Sequence, residues 1–289
     1  MKRIDARLLR SWPLPSVDRD GTKDERGRVL VVGGSAEIPG GAILAAVATL
    51  RAGAGKLQIA TSRSVAVAVA VPEARVIALP QGRDGELAAR CAPRIASEIE
   101  GCDALLVGPG MRSDAAAGSI VRDALSAGGG ATLVADAAAL PAFRGLRVGR
   151  RGAVLTPNAG EMAQMTGLTR ARVERDGPRA ATEMAAASGA VIVLKGNPTV
   201  VAAPNGMLFA RRAGNAGLGT SGSGDTLSGV IAGFAARGAA PVVAAVWGVE
   251  VHARAGDALA RTVAPLGFLA RELLHEIPAA VARLSPAPR

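Results

Sequence analysis

Short apolar runs alternate along this chain with alanine-rich stretches of helical periodicity, and this alternation restricts the folds that the chain can adopt. The apolar runs predict strands at residues 28–32, 57–60, 75–79, 104–107, 132–135, 153–155 and 191–194. Helices are predicted between several of them, at residues 41–51, 86–100, 115–126 and 179–188. Such an order is typical of an α/β protein in which helices cover both faces of a mainly parallel sheet.

The last third of the chain follows a different pattern. Two short runs at 199–203 and 207–210 flank Pro204-Asn205-Gly206, which predicts a hairpin. Beyond Gly224 the periodicity is helical, and it predicts helices at 226–237, 241–260 and 266–274. We expect one domain over residues 1–289, with a partly irregular N-terminal arm at 1–26 and a frayed tail at 285–289.

The composition excludes several classes of protein. A hydrophobic content of 49% excludes a disordered chain. The net charge of +10 permits anionic partners, but 2% aromatic residues and no tyrosine argue against a surface that stacks bases, so we expect no nucleic acid partner. No apolar run could span a bilayer and no signal peptide is recognisable, so we expect a cytoplasmic protein without a membrane partner. Its two cysteines, Cys91 and Cys102, lack the spacing of metal or redox motifs and are expected to be free thiols.

Five predicted strands are followed directly by residues that often occur in binding sites. These residues are Gly33-Gly34-Ser35, Gly108-Pro109-Gly110, Asp136, Thr156-Pro157-Asn158 and Lys195-Gly196. In an open α/β sheet, ligands bind beyond the carboxyl ends of the strands, so these residues predict one shared cleft. Ordinary connections between strands and helices use the same residue types, and this remains the alternative for any single loop.

Residues 217–229 read GLGTSGSGDTLSG and lead into a predicted helix. A glycine-rich loop at a helix start presents unpaired N–H groups and the positive end of the helix dipole, which favours phosphate. Asp225 would repel phosphate there unless it acts chemically, and a general base facing a substrate hydroxyl would explain it. The segment fits neither a dinucleotide fingerprint nor a Walker A motif. A flexible loop that caps a core helix is the alternative.

The order and spacing of several motifs carry a family resemblance. These motifs are GRVLVVGGS, GGAILAAVATLRAGAGKLQIAT, GPG, LTPNAGEM, LKGNPT, GLGTSGSGDTLSG and GVEVHARAGD. From about residue 27 to about residue 274, the chain resembles the ADP/ATP-dependent NAD(P)H-hydrate dehydratases of the ribokinase-like superfamily. The resemblance implies a ribokinase-like three-layer α/β/α sandwich. The additional N-terminal epimerase domain of fused members is expected to be absent.

The resemblance also implies a metabolite repair reaction, that of a carbon–oxygen lyase. The substrate would be hydrated NADH or NADPH (NADHX or NADPHX), whose ring hydroxyl is phosphorylated by ADP or ATP with Mg²⁺ before phosphate leaves. Asp225 would be the catalytic base, which an aspartate of ordinary pKa can be if it lies within hydrogen-bonding reach. We also expect a homo-oligomer.

The resemblance assigns the other site residues as follows. Substrate would contact Ala42, Gly110, Asn158 and Asp225; nucleotide would contact Lys195, Gly196, Asn197, Pro198, Thr199, Gly222, Ser223 and Gly224; and Glu161 would act on Mg²⁺ indirectly, through its water shell.

Departures from the family pattern leave two alternatives open. Asn158 stands where the family usually has histidine, and the segment Asp136-Ala137-Ala138 lacks a second acid. Asn158 and Glu161 also fit the N-x-x-E motif of related small-molecule kinases, so one alternative is a kinase that phosphorylates a hydroxymethyl group on a vitamin precursor. The other is a catalytically idle nucleotide-binding homologue. His252, in the middle of an apolar helix, is expected to be structural.

Overall fold

Ten strands of the computed structural model form one sheet with the spatial order β1-β10-β9-β8-β7-β6-β5-β2-β3-β4. The structure describes residues 1–16, 20–65, 71–112, 114–127, 130–149, 152–212 and 215–285. The strands are β1 (Lys2–Arg3), β2 (Arg28–Val32), β3 (Lys56–Ser62), β4 (Arg75–Leu79), β5 (Ala104–Val107), β6 (Thr132–Ala135), β7 (Ala153–Leu155), β8 (Val191–Leu194), β9 (Thr199–Ala202) and β10 (Leu208–Arg211). Strand β9 is antiparallel to β8 and β10, and all other neighbouring pairs are parallel.

Helices cover both faces of this sheet. Within the described residues the α-helices are α1 (Ala6–Ser11), α2 (Pro39–Arg51), α3 (Ala96–Glu100), α4 (Asp114–Ser126), α5 (Ala159–Thr166), α6 (Arg170–Arg175), α7 (Gly177–Ser188), α8 (Ser223–Ala236), α9 (Pro241–Thr262) and α10 (Ala270–Leu284). The same residues include 3₁₀ segments at Ala89–Ile95, Ala137–Phe143 and Ala216–Leu218.

Alternate residues of β2 show how the two hydrophobic cores form. Val29 and Val31 pack into the core under α2, α8, α9 and α10. Leu30 and Val32 pack into the opposite core, which includes residues of α4, α5 and α7. Because both faces are covered, the central strands are apolar along their whole length rather than at every second residue. The predicted three-layer sandwich with a mainly parallel sheet is therefore confirmed.

Two predicted helices differ from the structure. Residues 86–100 do not form one helix: a 3₁₀ segment at Ala89–Ile95 precedes α3. Pro93 lies inside the 3₁₀ segment, and proline cannot donate the hydrogen bond that a continuous α-helix would need there. The helix predicted at 266–274 instead runs as α10 from Ala270 to Leu284, because Leu269 and Glu272 form a capping arrangement at its start.

The N-terminal arm is more regular than the sequence predicts. It contributes β1 to the sheet edge and contains α1, and the side chains of Ile4 and Leu9 are buried. The indole N–H of Trp247 donates to the carbonyl of Trp12 over 2.7 Å, which ties the arm to α9. Of the predicted frayed tail, residues 286–289 lie outside the described residues. No helix in the described part of the chain has the length and apolarity needed to cross a membrane.

Helix α8 approaches α2 so closely that only glycine fits between them. A Cβ added at Gly229 would lie 2.2 Å from the carbonyl oxygen of Ala45, and one at Gly233 would lie 2.6 Å from that of Thr49. Real Cβ atoms do not approach backbone this closely, so the separation of the two helices depends on these glycines.

We predict that Gly229→Ala lowers the free energy of unfolding by about 1–3 kcal/mol or more, because the added methyl group forces the helices apart. Gly118→Ala in α4 is the control, since its Cβ would meet chiefly the flexible end of Arg122. That control should be neutral or stabilise by up to about 1 kcal/mol. Urea unfolding of both variants tests this, and equal stability of the two would contradict it.

Candidate active site

The carboxyl ends of β8, β7, β6, β5 and β2 lie side by side in the sheet, and the loops that follow them are in contact. A Cβ added at Gly33 would lie 2.3 Å from the carbonyl oxygen of Pro109. One added at Gly41 would lie 2.6 Å from the amide nitrogen of Gly110 and 3.2 Å from Oδ1 of Asp225. The structure therefore brings the glycines after β2 and β5 together with Asp225, as the sequence predicts.

Helix α8 begins in this region, and its first turn has the geometry of an anion site. Gly222 is the N-cap with φ of 87°, a conformation that favours glycine, and a Cβ there would meet Leu44 at 2.4 Å. The amide of Ser223 donates to the carbonyl of Thr220, whereas that of Gly224 has no backbone acceptor among the described residues. A free amide at the positive end of the dipole suits a phosphate oxygen.

Lys195, directly after β8, is surrounded by carboxylates. Its Nζ atom lies 2.8 Å from Oδ1 of Asp136 and 3.5 Å from Oε2 of Glu161. Burial lowers the pKa of Lys195, but the charges of Asp136, Glu161 and Asp225 outweigh burial, so the pKa is raised and the side chain stays a cation. Gly224 is also adjacent, since a Cβ on it would lie 3.3 Å from the same Nζ.

The pKa of Asp225 is not that of an ordinary aspartate. Burial raises its pKa, Asp136 and Glu161 raise it further, and Lys195 only partly opposes them, so the value reaches about 7. Asp225 is therefore ionised only in part at neutral pH. A carboxyl that titrates near neutrality is a stronger base than an ordinary aspartate.

The Asn158 and Glu161 pair forms a capping box at the start of α5. The amide of Glu161 donates to Oδ1 of Asn158 over 2.9 Å, and the amide of Asn158 donates to Oε2 of Glu161 over 2.6 Å. The N-x-x-E spacing thus has a local structural cause. Within the described residues, no three His, Cys, Asp or Glu side chains are grouped to hold a metal ion.

Two cavities meet at the loop after β8. The first, of about 520 Å³, is lined by residues of this loop and of α8 and α9, and the second, of about 780 Å³, extends towards α5, α6 and α7. Both are lined by Lys195, Gly196, Asn197 and Gly219. Of the other predicted nucleotide-binding residues, Thr199, Ser223 and Gly224 line the first cavity and Pro198 lines the second, which Asn158 also lines.

Ala42 is the one predicted site residue without an accessible surface. It lies in α2 with 0% exposure, and a Cβ on Gly34 would be 3.2 Å from its methyl group. The structure does not support direct contact between Ala42 and a substrate, because the glycine loops lie over it. Gly110 is partly exposed and remains available for such a contact.

His252 and Asp136 have larger places in the site than the sequence suggests. The Nε2 atom of His252 lies 3.0 Å from the hydroxyl oxygen of Ser223, and the histidine also lines the first cavity. Burial lowers the pKa of His252 to about 4, so its ring is neutral. The sequence places Asp136 directly after a buried strand, which indicates that it lies at the carboxyl edge of the sheet. Only the strand order shows that Lys195 is its partner.

Comparison with known proteins gives a consistent result over nearly the whole chain. A family model described as NAD(P)H-hydrate dehydratase matches residues 29–279. A protein of Xanthomonas campestris pv. campestris named ADP-dependent (S)-NAD(P)H-hydrate dehydratase is 46% identical over 286 residues, with 98% of this chain and 97% of that protein covered.

Solved structures agree. The crystal structure of the ADP/ATP-dependent NAD(P)H-hydrate dehydratase of Bacillus subtilis, co-crystallised with ATP and Mg²⁺, matches with a TM-score of 0.83 at 28% identity, covering 98% of this chain and 99% of that one. A ribokinase-like superfamily protein of Enterococcus faecalis matches with a TM-score of 0.83 at 26% identity, covering 99% and 96%. The ribokinase-like fold is thereby confirmed.

We predict that Asp225→Asn stabilises the protein more at pH 8 than at pH 5. The pKa of Asp225 is raised from 3.8 to about 7, so its contribution to stability is present at low pH and is lost as the pH rises towards 7. Asparagine does not titrate, so the gain in the free energy of unfolding should be about 2 kcal/mol larger at pH 8. Urea unfolding of both proteins at the two pH values measures this. An equal gain at both would show that Asp225 ionises as an ordinary aspartate.

Proposed function

The chain belongs to the NAD(P)H-hydrate dehydratase family, and we propose that it restores NADH and NADPH from their hydrated forms, with ADP or ATP as phosphoryl donor and Mg²⁺ as counter-ion. The position of Asp225 carries the proposal: a carboxyl with a pKa of about 7 lies at the start of α8, close to Lys195 and to the glycines after β2 and β5. That is the placement which a base facing a substrate hydroxyl and a phosphoryl group requires.

The residues of the site account for the reaction in two steps. Asp225 accepts the proton of the ring hydroxyl as the hydroxyl oxygen bonds to the terminal phosphorus of the nucleotide; the bond from that phosphorus to its bridging oxygen breaks, and ADP leaves as AMP or ATP as ADP. The C–O bond then breaks, the lone pair of the ring nitrogen displaces phosphate, and the adjacent ring carbon loses a proton, which restores the C=C bond. The start of α8, formed by Gly222, Ser223 and Gly224, stabilises the charge on the phosphoryl oxygens, chiefly through the free amide of Gly224.

Lys195 is placed to meet the nucleotide phosphates, because it lies where the two cavities adjoin and stays charged. Gly196, Asn197, Pro198 and Thr199 continue the same loop along the cavity walls. Mg²⁺, when bound with the nucleotide, offsets the charge of the phosphates. The described residues contain no group of three His, Cys, Asp or Glu side chains that could hold a metal ion. Phosphate oxygens and water are therefore the ligands that would suit Mg²⁺, and Glu161 would act through that water.

On the substrate side, we assign Gly110 and Asn158 to the hydrated nicotinamide. The Oδ1 atom of Asn158 accepts the capping bond of Glu161, so the amide NH₂ group is left to donate to a substrate oxygen. Asparagine, unlike histidine, gains no proton near neutral pH, so the contact is the same in acid and base. A cytoplasmic location and a homo-oligomeric assembly remain predictions.

The products distinguish this function from that of a kinase. Incubation with hydrated NADH, ADP or ATP and Mg²⁺ should release inorganic phosphate in step with the rise in reduced-nicotinamide absorbance. A kinase would leave a stable phosphate ester on a hydroxymethyl substrate. If a vitamin precursor is phosphorylated and neither hydrated nicotinamide is repaired, the dehydratase is ruled out; if neither reaction occurs, the chain is an idle homologue.

Asp225→Asn should lower kcat by about 10²-fold or more while it leaves nucleotide affinity within a few-fold, because it removes the base and keeps the shape. Asp103→Asn is the matched control, since the Asp103 carboxylate accepts a hydrogen bond from the amide of Arg28 at the opposite edge of the sheet. Near-normal turnover of Asp225→Asn would exclude Asp225 as the base.

In the unmodified protein, kcat/KM should rise with pH through about 7, because Asp225 becomes ionised over that range.

A further inference from the structure

Asp136 is a buried carboxylate that no step above uses. It follows β6, and its side chain is 3% exposed. Its Oδ1 atom accepts a hydrogen bond of 2.8 Å from Nζ of Lys195, although 59 residues separate the two in the sequence. Lys195 lines both cavities, whereas Asp136 lines neither and lies behind the ammonium group.

This ion pair is not explained by stability alone. Removing two charges from water is costly, and apolar residues of similar size usually hold a fold equally well. A lysine side chain has many rotamers. A fixed partner therefore helps to hold its ammonium group at the point where it must contact a ligand. Asp136 supplies such a partner directly after a buried strand, and groups positioned by strands are held more precisely than groups on loops.

Glu161 is a weaker partner for the same ammonium group. Its Oε2 atom lies 3.5 Å from Nζ of Lys195 and already accepts the amide of Asn158 over 2.6 Å. Its side chain is also more exposed than that of Asp136, at 24% against 3%. The position of the ammonium beside Gly224 therefore depends mainly on Asp136.

We propose that Asp136 is a positioning residue that holds the Lys195 ammonium at the junction of the two cavities, where it meets the nucleotide phosphates beside the start of α8. The proposal rests on the proposed function for the identity of the ligand. Asp136 itself touches neither nucleotide nor substrate, and it acts on the nucleotide only through Lys195.

The test compares Asp136→Asn, Lys195→Met and the double variant, with Asp103→Asn as the control for loss of an aspartate charge outside the site. Affinity for Mg²⁺–ADP and Mg²⁺–ATP is measured by calorimetry, and kcat and each KM by the repair assay. Asp136→Asn should raise the nucleotide Kd and KM by about tenfold and leave the KM for hydrated NADH unchanged. A purely structural role would lower the yield of folded protein without this selectivity.

The double variant gives the decisive comparison. If Asp136 acts only through Lys195, Asp136→Asn should weaken nucleotide binding no further once Lys195 is methionine. The double variant should also unfold at a higher temperature than Lys195→Met, which leaves the Asp136 carboxylate buried without its partner. If Asp136→Asn does not fold, the comparison of these two proteins carries the test.

Two results would overturn the proposal. One is an unchanged nucleotide Kd in Asp136→Asn. The other is a loss of nucleotide affinity on adding Asp136→Asn that is the same in the unmodified protein and in Lys195→Met. Calorimetry keeps the test separate from the proposed function. If the unmodified protein binds nucleotide but repairs no hydrated NADH, the dehydratase function fails while Asp136 is still tested. If it binds no nucleotide, both fail.

Discussion

The ammonium group of Lys195, set between the carboxylates of Asp136 and Glu161 and close to Asp225, is the interaction on which this site depends. Without that cation, three acidic side chains would stand together where an anionic nucleotide is proposed to bind, and their repulsion would oppose both folding and binding. With it, Asp225 is still pushed towards protonation, but only to a pKa of about 7. One cation thus keeps an acidic cluster compatible with an anionic ligand and keeps the proposed base titratable near neutral pH.

The sheet explains why residues so distant in sequence can form this cluster. Strands β6, β7 and β8 are parallel neighbours, so the residues that follow them emerge at one edge. The first turn of α8 lies at the same edge and adds the amide of Gly224, while α2 fixes the position of α8 through glycine contacts. The buried charged groups are therefore limited to a few residues, and strands and helices surround these residues on both faces of the sheet.

Much of this architecture could be predicted from the sequence, because fully apolar strands and alanine-rich helices have clear periodicities. Prediction failed where a local feature overrode the pattern, as at Pro93 in the 3₁₀ segment and at the capped start of α10. The meeting of the loops after β2 and β5 followed from the rule for strand ends. The pairing of Lys195 with Asp136 and the contact of His252 with Ser223 did not, because both depend on strand order and helix packing, which no local pattern contains. The raised pKa of Asp225 depends on the same three-dimensional proximity.

The loops after β2, β5 and β6 pack against each other through their backbones. A Cβ on Gly108 would lie 1.8 Å from the carbonyl oxygen of Asp136, and one on Gly110 would lie 2.4 Å from that of Ile38. Loops in contact at these points cannot lengthen, shorten or acquire side chains independently of each other. A change of substrate choice on this framework is therefore open chiefly to the few exposed side chains at the rim of the site, such as Asn158.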